Sequence, residues 1–196
     1  RHQRRLIAAL KLDLAVEGAL FSGFGTAGQR CTSLGTVIVH ERVHDEFLLR
    51  FANAVETAAI GDPFEDVLYG PMISSRFYER FIGWLDWVQP HHVLSGSSGT
   101  GRITRDNPRA GFVGDPEAGL FVHPTIVDGV TADDDLYKQE TFGPIVGVAT
   151  FGEFDEAMAL ANGHGYGLSS SIYTTDPLNV FRFRERISAG MVSVNN

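Results

Sequence analysis

The strongest constraint on this chain is a repeated alternation of short β-branched runs with longer stretches of helical period. Residues 35–40 (GTVIVH), 145–151 (IVGVATF), 168–174 (LSSSIYT) and 190–195 (GMVSVN) are short and bounded by turn residues, the pattern of strands. Between them, apolar residues recur every three or four positions. Leu12, Val16, Leu20 and Phe24 mark one helix face. Phe47, Leu48, Phe51 and Val55 mark a second, and Phe77, Phe81, Trp84, Leu85 and Val88 a third. Residues 153–163 and 176–186 read as two more helices, the last starting near Asp176-Pro177. Strands alternating with helices of this length give an α/β fold, a mostly parallel open sheet flanked by helices.

The connections fit the same plan. The first helix stops at a glycine-rich turn, where Gly28 supplies a left-handed cap. Residues 60–72 are turn-rich, with Gly61, Pro63, Gly70 and Pro71 as breakers. Residues 91–96 (HHVLSG) are a short strand, and 120–130 a strand interrupted at Pro124. Residues 95–119 turn polar and glycine-rich, which marks a long loop or an insertion. With 196 residues and no clear linker, the chain is expected to be one domain, 1–196, with an atypical basic stretch at 1–11.

Composition removes several classes of function. Hydrophobic residues are 43% and charged residues 20%, which suits a soluble globular protein. The net charge is -8 and no basic run has the look of a nucleic-acid footprint, although residues 1–5 are locally basic. No apolar run approaches the roughly 18 residues of a membrane span. Lys11, Asp13 and Glu17 interrupt what would be the core of a signal peptide. The one cysteine, Cys31, makes no internal disulfide, so a reducing, cytoplasmic compartment is expected.

Two motifs are decoys. His40-Glu41-Arg42-Val43-His44 matches the zinc pattern H-E-x-x-H, but that pattern needs both histidines on one helix face. Here His40 closes a strand and the helix signal starts only near His44, so two surface histidines flanking a turn are expected and no metal site. Residues 96–101 have the glycine spacing of a phosphate loop, but Arg102-Ile103 stand where Lys and Ser or Thr are required.

Two segments keep a functional reading. Cys31 follows a glycine-rich turn at a helix-to-strand junction, among Gln29, Arg30, Thr32 and Ser33. A lone cysteine is more often a small buried hydrophobe, but this one lies on no apolar stripe. Such a turn can present sulfur at a sheet edge, where a small thiolate fraction suffices for attack on a carbonyl. In 137–148 (YKQETFGPIVGV), Glu140 stands two residues before Phe142, and Gly143-Pro144 turns the chain into a buried strand. On local grounds alone these two are a solvated carboxylate and a packed aromatic.

Taken together, the segments resemble the aldehyde dehydrogenase superfamily. Residues 12–33 (LDLAVEGALFSGFGTAGQRCTS) resemble its nucleophile segment, and 37–51 the strand and helix that follow. IGDP and YGPMIS, FVHPTIVDGV, QETFGPIVGV, ANGHGYGLSSSIYTTD and ISAGMVSVN then appear in the family's order. GTAGQRCT is similar to the branch that includes aminoadipate-semialdehyde dehydrogenase. The resemblance implies that Cys31 is the catalytic nucleophile, attacking an aldehyde to form a thiohemiacetal and then a thioester. It implies NAD or NADP as cofactor, with Glu140 on the nicotinamide ribose and Phe142 seating the nicotinamide. It also implies a small-molecule aldehyde as partner, and a homo-oligomer at full length.

The departures matter equally. The family's dinucleotide-binding domain, its oxyanion-hole asparagine and its E-L-G-G glutamate precede the cysteine and are not in this chain. Residues 1–11 do not resemble the strand expected before the helix, and the sequence stops at VSVNN. The expectation is therefore a catalytic domain without its NAD-binding domain, inactive alone. Two alternatives stand beside it. One is a non-catalytic fragment or assembly subunit of the same fold. The other is a cysteine hydrolase using His164 or His123.

Overall fold

The computed structural model describes residues 9–96 and 99–196. In chain order the first elements are α1 (Ala9–Phe24), β1 (Thr36–His40), α2 (His44–Thr57), β2 (Ile60–Gly61) and α3 (Ser75–Leu85). Next come β3 (Val93–Ser95), β4 (Phe112–Val113), β5 (Thr125–Asp128), α4 (Asp135–Lys138) and β6 (Ile145–Phe151). The last are α5 (Phe154–Asn162), β7 (Ser169–Ile172), α6 (Pro177–Arg186) and β8 (Met191–Val194).

The longest apolar run, β6, becomes the centre of the main sheet. It is buried at every position except Thr150, as a strand covered on both faces must be. It pairs in parallel with β1 on one side and β5 on the other, with Thr36 opposite Gly147 and Thr125 opposite Ile145. The strand expected at 91–96 forms as β3 and pairs antiparallel with β5, so the order is β1-β6-β5-β3. The mostly parallel sheet is present, but the strands of the described residues divide among three sheets. β2 pairs with β4 and β7 with β8, each in parallel.

The helices land where the periodicity puts them. Leu12, Ala15, Val16 and Ala19 form the buried stripe of α1. Gly23 lets that helix close on the sheet: a Cβ there would lie 2.7 Å from Val146 Cγ2. Phe47, Phe51 and Val55 are buried on α2, and the Phe51 ring lies 5.9 Å from Phe24 and 5.5 Å from Phe47. A capping box of Glu153 and Glu156 opens α5. Asp176 caps α6 by accepting from the Leu178 N–H at 2.9 Å, with Pro177 in the first turn.

Besides the β4–β2 pairing, residues 99–119 are tied to the core by two side chains. Ile103 is fully buried. The buried Arg109 guanidinium donates to the carbonyls of Val55 at 2.6 Å and Glu56 at 3.1 Å. These carbonyls lie in the last turn of α2, where Val55 accepts otherwise only from the capping Ala58 N–H at 3.3 Å, so a cation there satisfies both hydrogen bonding and the helix dipole. The phosphate-loop decoy at 96–101 includes Ser97 and Ser98, which lie outside the described residues.

Candidate active site

The Cys31 loop is built by an unusual turn. After Phe24 the chain makes a single short helical turn, Gly25–Gly28, in which Thr26, Ala27 and Gly28 all have positive φ (58°, 54° and 65°). Three consecutive left-handed residues reverse the chain and are costly for Thr and Ala. Gly28 is required for a second reason. A Cβ there would lie 2.2 Å from the Gly143 carbonyl oxygen and 3.0 Å from that of Gly23. This backbone-to-backbone contact presses the Cys31 loop directly against the loop that holds Glu140 and Phe142.

Local hydrogen bonds hold the cysteine turn. Ser33 N–H donates to the Arg30 carbonyl at 3.0 Å, and Arg30 N–H to Ser33 Oγ at 3.2 Å. Leu34 N–H returns to the Ser22 carbonyl at 2.9 Å, and Gln29 Oε1 accepts from Ile73 N–H at 3.0 Å. The Arg30 guanidinium is turned back to α1. It donates to the Phe21 carbonyl at 3.1 Å and sits 4.8 Å from the Phe21 ring centroid. Cys31 is left exposed at the crest.

Cys31, Glu140 and Phe142 line one cavity of about 630 Å³. Glu140 is exposed, and Phe142 is half-buried with its ring 6.1 Å from Phe77. Phe142 has φ of 37°, a left-handed conformation that a bulky residue adopts only when its surroundings impose it. Such local strain clusters at functional sites. Both loops lie at the amino ends of β1 and β6. Ligand sites of open α/β sheets more often lie at the carboxyl ends, so the placing of Cys31 and Glu140 departs from that rule, although the cavity also reaches His40 and Phe151 at those ends.

The histidines divide. His164 lines the same cavity as Cys31, but its ring packs 5.6 Å from Tyr137 and its Nδ1 accepts from Tyr166 N–H at 3.3 Å. Among the described residues no hydrogen bond joins it to the thiol. His123 is fully buried away from the cavity, with Nε2 3.3 Å from the Asn107 carbonyl. Burial pushes its pKa below the ordinary histidine value.

The zinc decoy resolves as two structural histidines, with one correction. His40 is the last residue of β1 and His44 the first of α2. His40 is not on the surface: it is 8% exposed, its ring edges onto Phe151 at 5.1 Å, and its Nδ1 accepts from Arg42 N–H. His44 has both ring nitrogens occupied, by Asp128 at 2.7 Å and Asp45 at 2.9 Å.

A second cluster has no signal in the sequence, because the pairing of β3 with β5 brings it together from distant positions. His91, His92 and Asp134 place their ligand atoms within 4.8 Å of one another. The buried His92 Nδ1 accepts from Gln89 N–H at 2.9 Å, so the ring proton of the neutral form sits on Nε2, which lies 3.2 Å from Asp134 Oδ2. A metal would need a lone pair at that Nε2. Asp134 is already engaged by Thr131 N–H at 2.7 Å and Thr131 Oγ at 2.8 Å. Burial raises its pKa, but these hydrogen bonds and the two histidines outweigh it and hold the carboxyl well below the usual range. The group is a polar staple between two loops.

Comparison with known proteins gives the family. A model of the aldehyde dehydrogenase family matches residues 6–196. The chain is 34% identical over 185 residues to aminoacetaldehyde dehydrogenase of Pseudomonas aeruginosa, covering 94% of this chain and 34% of that protein. It is 36% identical over 187 residues to alpha-aminoadipic semialdehyde dehydrogenase of Bos taurus, covering 94% of this chain and 32% of that protein. The crystal structure of betaine aldehyde dehydrogenase from Staphylococcus aureus in complex with NAD+ superposes with a TM-score of 0.84 at 27% identity, over 94% of this chain and 35% of that one. The chain thus spans about a third of the length of the relatives it matches. With the fold, the order of its segments and these relatives in agreement, the chain belongs to the aldehyde dehydrogenase family.

Proposed function

We propose that residues 1–196 are the catalytic-domain portion of an NAD(P)-dependent aldehyde dehydrogenase, with Cys31 as nucleophile. The observation that carries this reading is the shared cavity: the thiol loop and the Glu140–Phe142 loop open into one space, locked together where Gly28 meets Gly143. The Cys31 thiolate adds to an aldehyde carbon to give a thiohemiacetal, and loss of hydride from it leaves a thioester on sulfur. Water then releases the carboxylic acid and returns the thiol. The Cys31 backbone N–H, which has no acceptor among the described residues, is free to donate to the oxyanion of the addition step.

A nicotinamide dinucleotide, when bound, supplies the hydride acceptor. The residues present fit its nicotinamide-ribose end. Glu140 is an exposed carboxylate on the cavity wall, suited to accept from a ribose diol, and the Phe142 ring offers an apolar surface beside it. Arg30, the one Lys or Arg on that wall among the described residues, is turned to Phe21, so the cavity does not fit the pyrophosphate.

The substrate is a small aldehyde. The exposed thiol supports a reducing, cytoplasmic compartment. Exposed Leu178, Phe181, Met191 and Val192 support assembly into a homo-oligomer. Among the described residues no helix is long and apolar enough to cross a membrane.

The test joins this chain to a dinucleotide-binding domain of the family and measures aldehyde-dependent NADH formation. Cys31→Ser is expected to lower turnover about a thousandfold or more. Turnover retained in Cys31→Ser overturns the assignment. A hydrolase reading predicts instead an ester burst from the chain alone, lost in His164→Ala. A non-catalytic role predicts no turnover in the joined protein at all.

A further inference from the structure

The left-handed conformation of Phe142 costs a bulky residue energy, and the structure shows what holds it there. The holding surface is α3. Phe77, Phe81 and Trp84 are spaced by four and then three residues, so they share one helix face. The Phe77 ring lies 6.1 Å from the Phe142 ring and is tilted by 41° to it. Further along the same face, Phe81 and Trp84 press on Gly143. A Cβ on Gly143 would lie 2.8 Å from Trp84 Cζ3 and 3.2 Å from Phe81 Cδ2. The α3 side of Gly143 therefore has no room for a side chain.

The carbonyl of Gly143 is pinned as well. It accepts from Ile145 N–H at 2.8 Å, and it is the oxygen that leaves no space for a Cβ on Gly28. Gly143 thus sits where three parts of the chain approach closely: the rings of α3, the start of β6 and the cysteine turn. Only glycine allows such an approach.

The face of α3 is stiff. Phe81 is fully buried and Trp84 is 4% exposed. The Arg80 guanidinium lies 6.0 Å from the Phe77 ring and 5.8 Å from the Trp84 ring, a cation shared by two aromatic faces. Phe77, Phe81 and Trp84 do not line the cavity, so they act on its occupant only through the turn of Phe142 and Gly143. Close-packed interiors transmit a displacement of this kind rather than absorb it.

We propose that Trp84 is a positioning residue: with Phe77 and Phe81 it forms a back plate that fixes the Phe142 ring, and the apolar surface it offers a nicotinamide, relative to the Cys31 thiol. The inference rests on the reading of the cavity as an aldehyde dehydrogenase site. Hydride leaves the carbon bound to sulfur, and reacting atoms must come within about 3–3.5 Å of one another. A misplacement of about 1 Å caused far from the chemistry costs about a hundredfold. Replacing the indole with a methyl group leaves a void beside Gly143, into which the turn settles.

The experiment uses the joined protein described above and three variants, Trp84→Ala, Trp84→Phe and Phe77→Ala. NADH formation is measured with aldehyde and NAD+ varied. Amide exchange and the rate of alkylation of Cys31 are measured with neither present. Trp84→Ala is expected to lower kcat about tenfold or more and to change the aldehyde KM less than about threefold. Exchange at the Ile145 amide is expected to speed at least about tenfold, while Val146, Gly147 and Val148 keep their protection. Alkylation is expected to stay within about twofold, because the cysteine turn keeps its hydrogen bonds with Ser22 and Ile73. Trp84→Phe, which keeps a ring against Gly143, is expected to recover most of the turnover. Phe77 is only half-buried, so Phe77→Ala gives the same pattern in a folded protein even if Trp84→Ala does not fold.

An unchanged kcat in Phe77→Ala overturns the proposal. So does a loss in Trp84→Ala that Trp84→Phe does not recover. Exchange that speeds equally along all of β6 overturns it too, since Trp84 then supports only the stability of the sheet. Turnover retained in Cys31→Ser, or absent from the joined protein, breaks the reading of the site and not this inference. Exchange at Ile145, which needs neither cofactor nor turnover, then decides whether α3 holds the turn.

Discussion

The two sides of the cavity are made from the same kind of sequence and have unequal cores. On one side, the main sheet with α1, α2 and α3 encloses one large cluster in which Phe24, Phe47, Phe51, Phe81 and Ile145 are essentially inaccessible. On the other, α5 and α6, with Ile172 of β7 packed against them, share a small cluster whose buried members are Phe154, Met158 and Phe183. Leu168, Leu178, Phe181 and Met191 remain exposed there. Both regions show strand and helix patterns, yet the first buries far more apolar side chains than the second. Regions of low burial open first, and binding sites are commonly placed beside them. The candidate site follows that arrangement: its thiol loop is locked to the firm side, and its far wall belongs to the looser one.

The sharpest way to break this comparison is to weaken each core in turn. Phe51→Ala is expected to cost about 3–5 kcal/mol in urea denaturation and to lower amide protection in every sheet. Phe183→Ala is expected to lower protection in β7 and β8 while β5 and β6 keep theirs. Equal loss everywhere in both variants would show that the two regions unfold as one unit.

Gly28→Ala tests the lock between the loops. Its Cβ meets the Gly143 carbonyl and its φ of 65° disfavours a side chain, so a loss of roughly 2–3 kcal/mol is expected. The rate of alkylation of Cys31, the single thiol, should change with it. An unchanged rate would mean that the Cys31 turn does not depend on the Glu140 loop.

The smallest effect concerns His44. Burial opposes its charge, but hydrogen bonds to Asp128 and Asp45 outweigh that and raise its pKa above the ordinary value. A raised folded pKa contributes stability that is fully present below about pH 6.5 and is lost as pH rises through the folded value. Asp128→Asn is expected to remove this increment, by less than about 1 kcal/mol because the ring remains in contact with solvent. Identical pH profiles for the two proteins would show the pair to be neutral in stability.

Much of the fold was legible because each strand and helix carries its own period. The apolar stripe of α1, the buried run of β6 and the Asp176-Pro177 cap are local properties of a few adjacent residues. The antiparallel pairing of β3, the division into three sheets and the capping of α2 by Arg109 were not legible. Each depends on partners dozens of positions away. The polar neighbours Glu41 and Arg42 point His40 to the surface, while its burial comes from Phe151 across the sheet.

The candidate site divides in the same way. The sequence by itself determined which residues are candidates for chemistry: one thiol after a glycine turn, and a carboxylate two residues before an aromatic. It also excluded a shared helix face for the two histidines of the zinc pattern. Only the tertiary structure decided that Cys31, Glu140 and Phe142 meet in one cavity and that Phe142 is held in a left-handed conformation. The physical reason is range. Helical period, turn chemistry and capping are set by neighbours within about one turn of chain. The meeting of Gly28 with Gly143 is set by sheet register and by helices packed on both of its faces, and those exist only once the whole chain has folded.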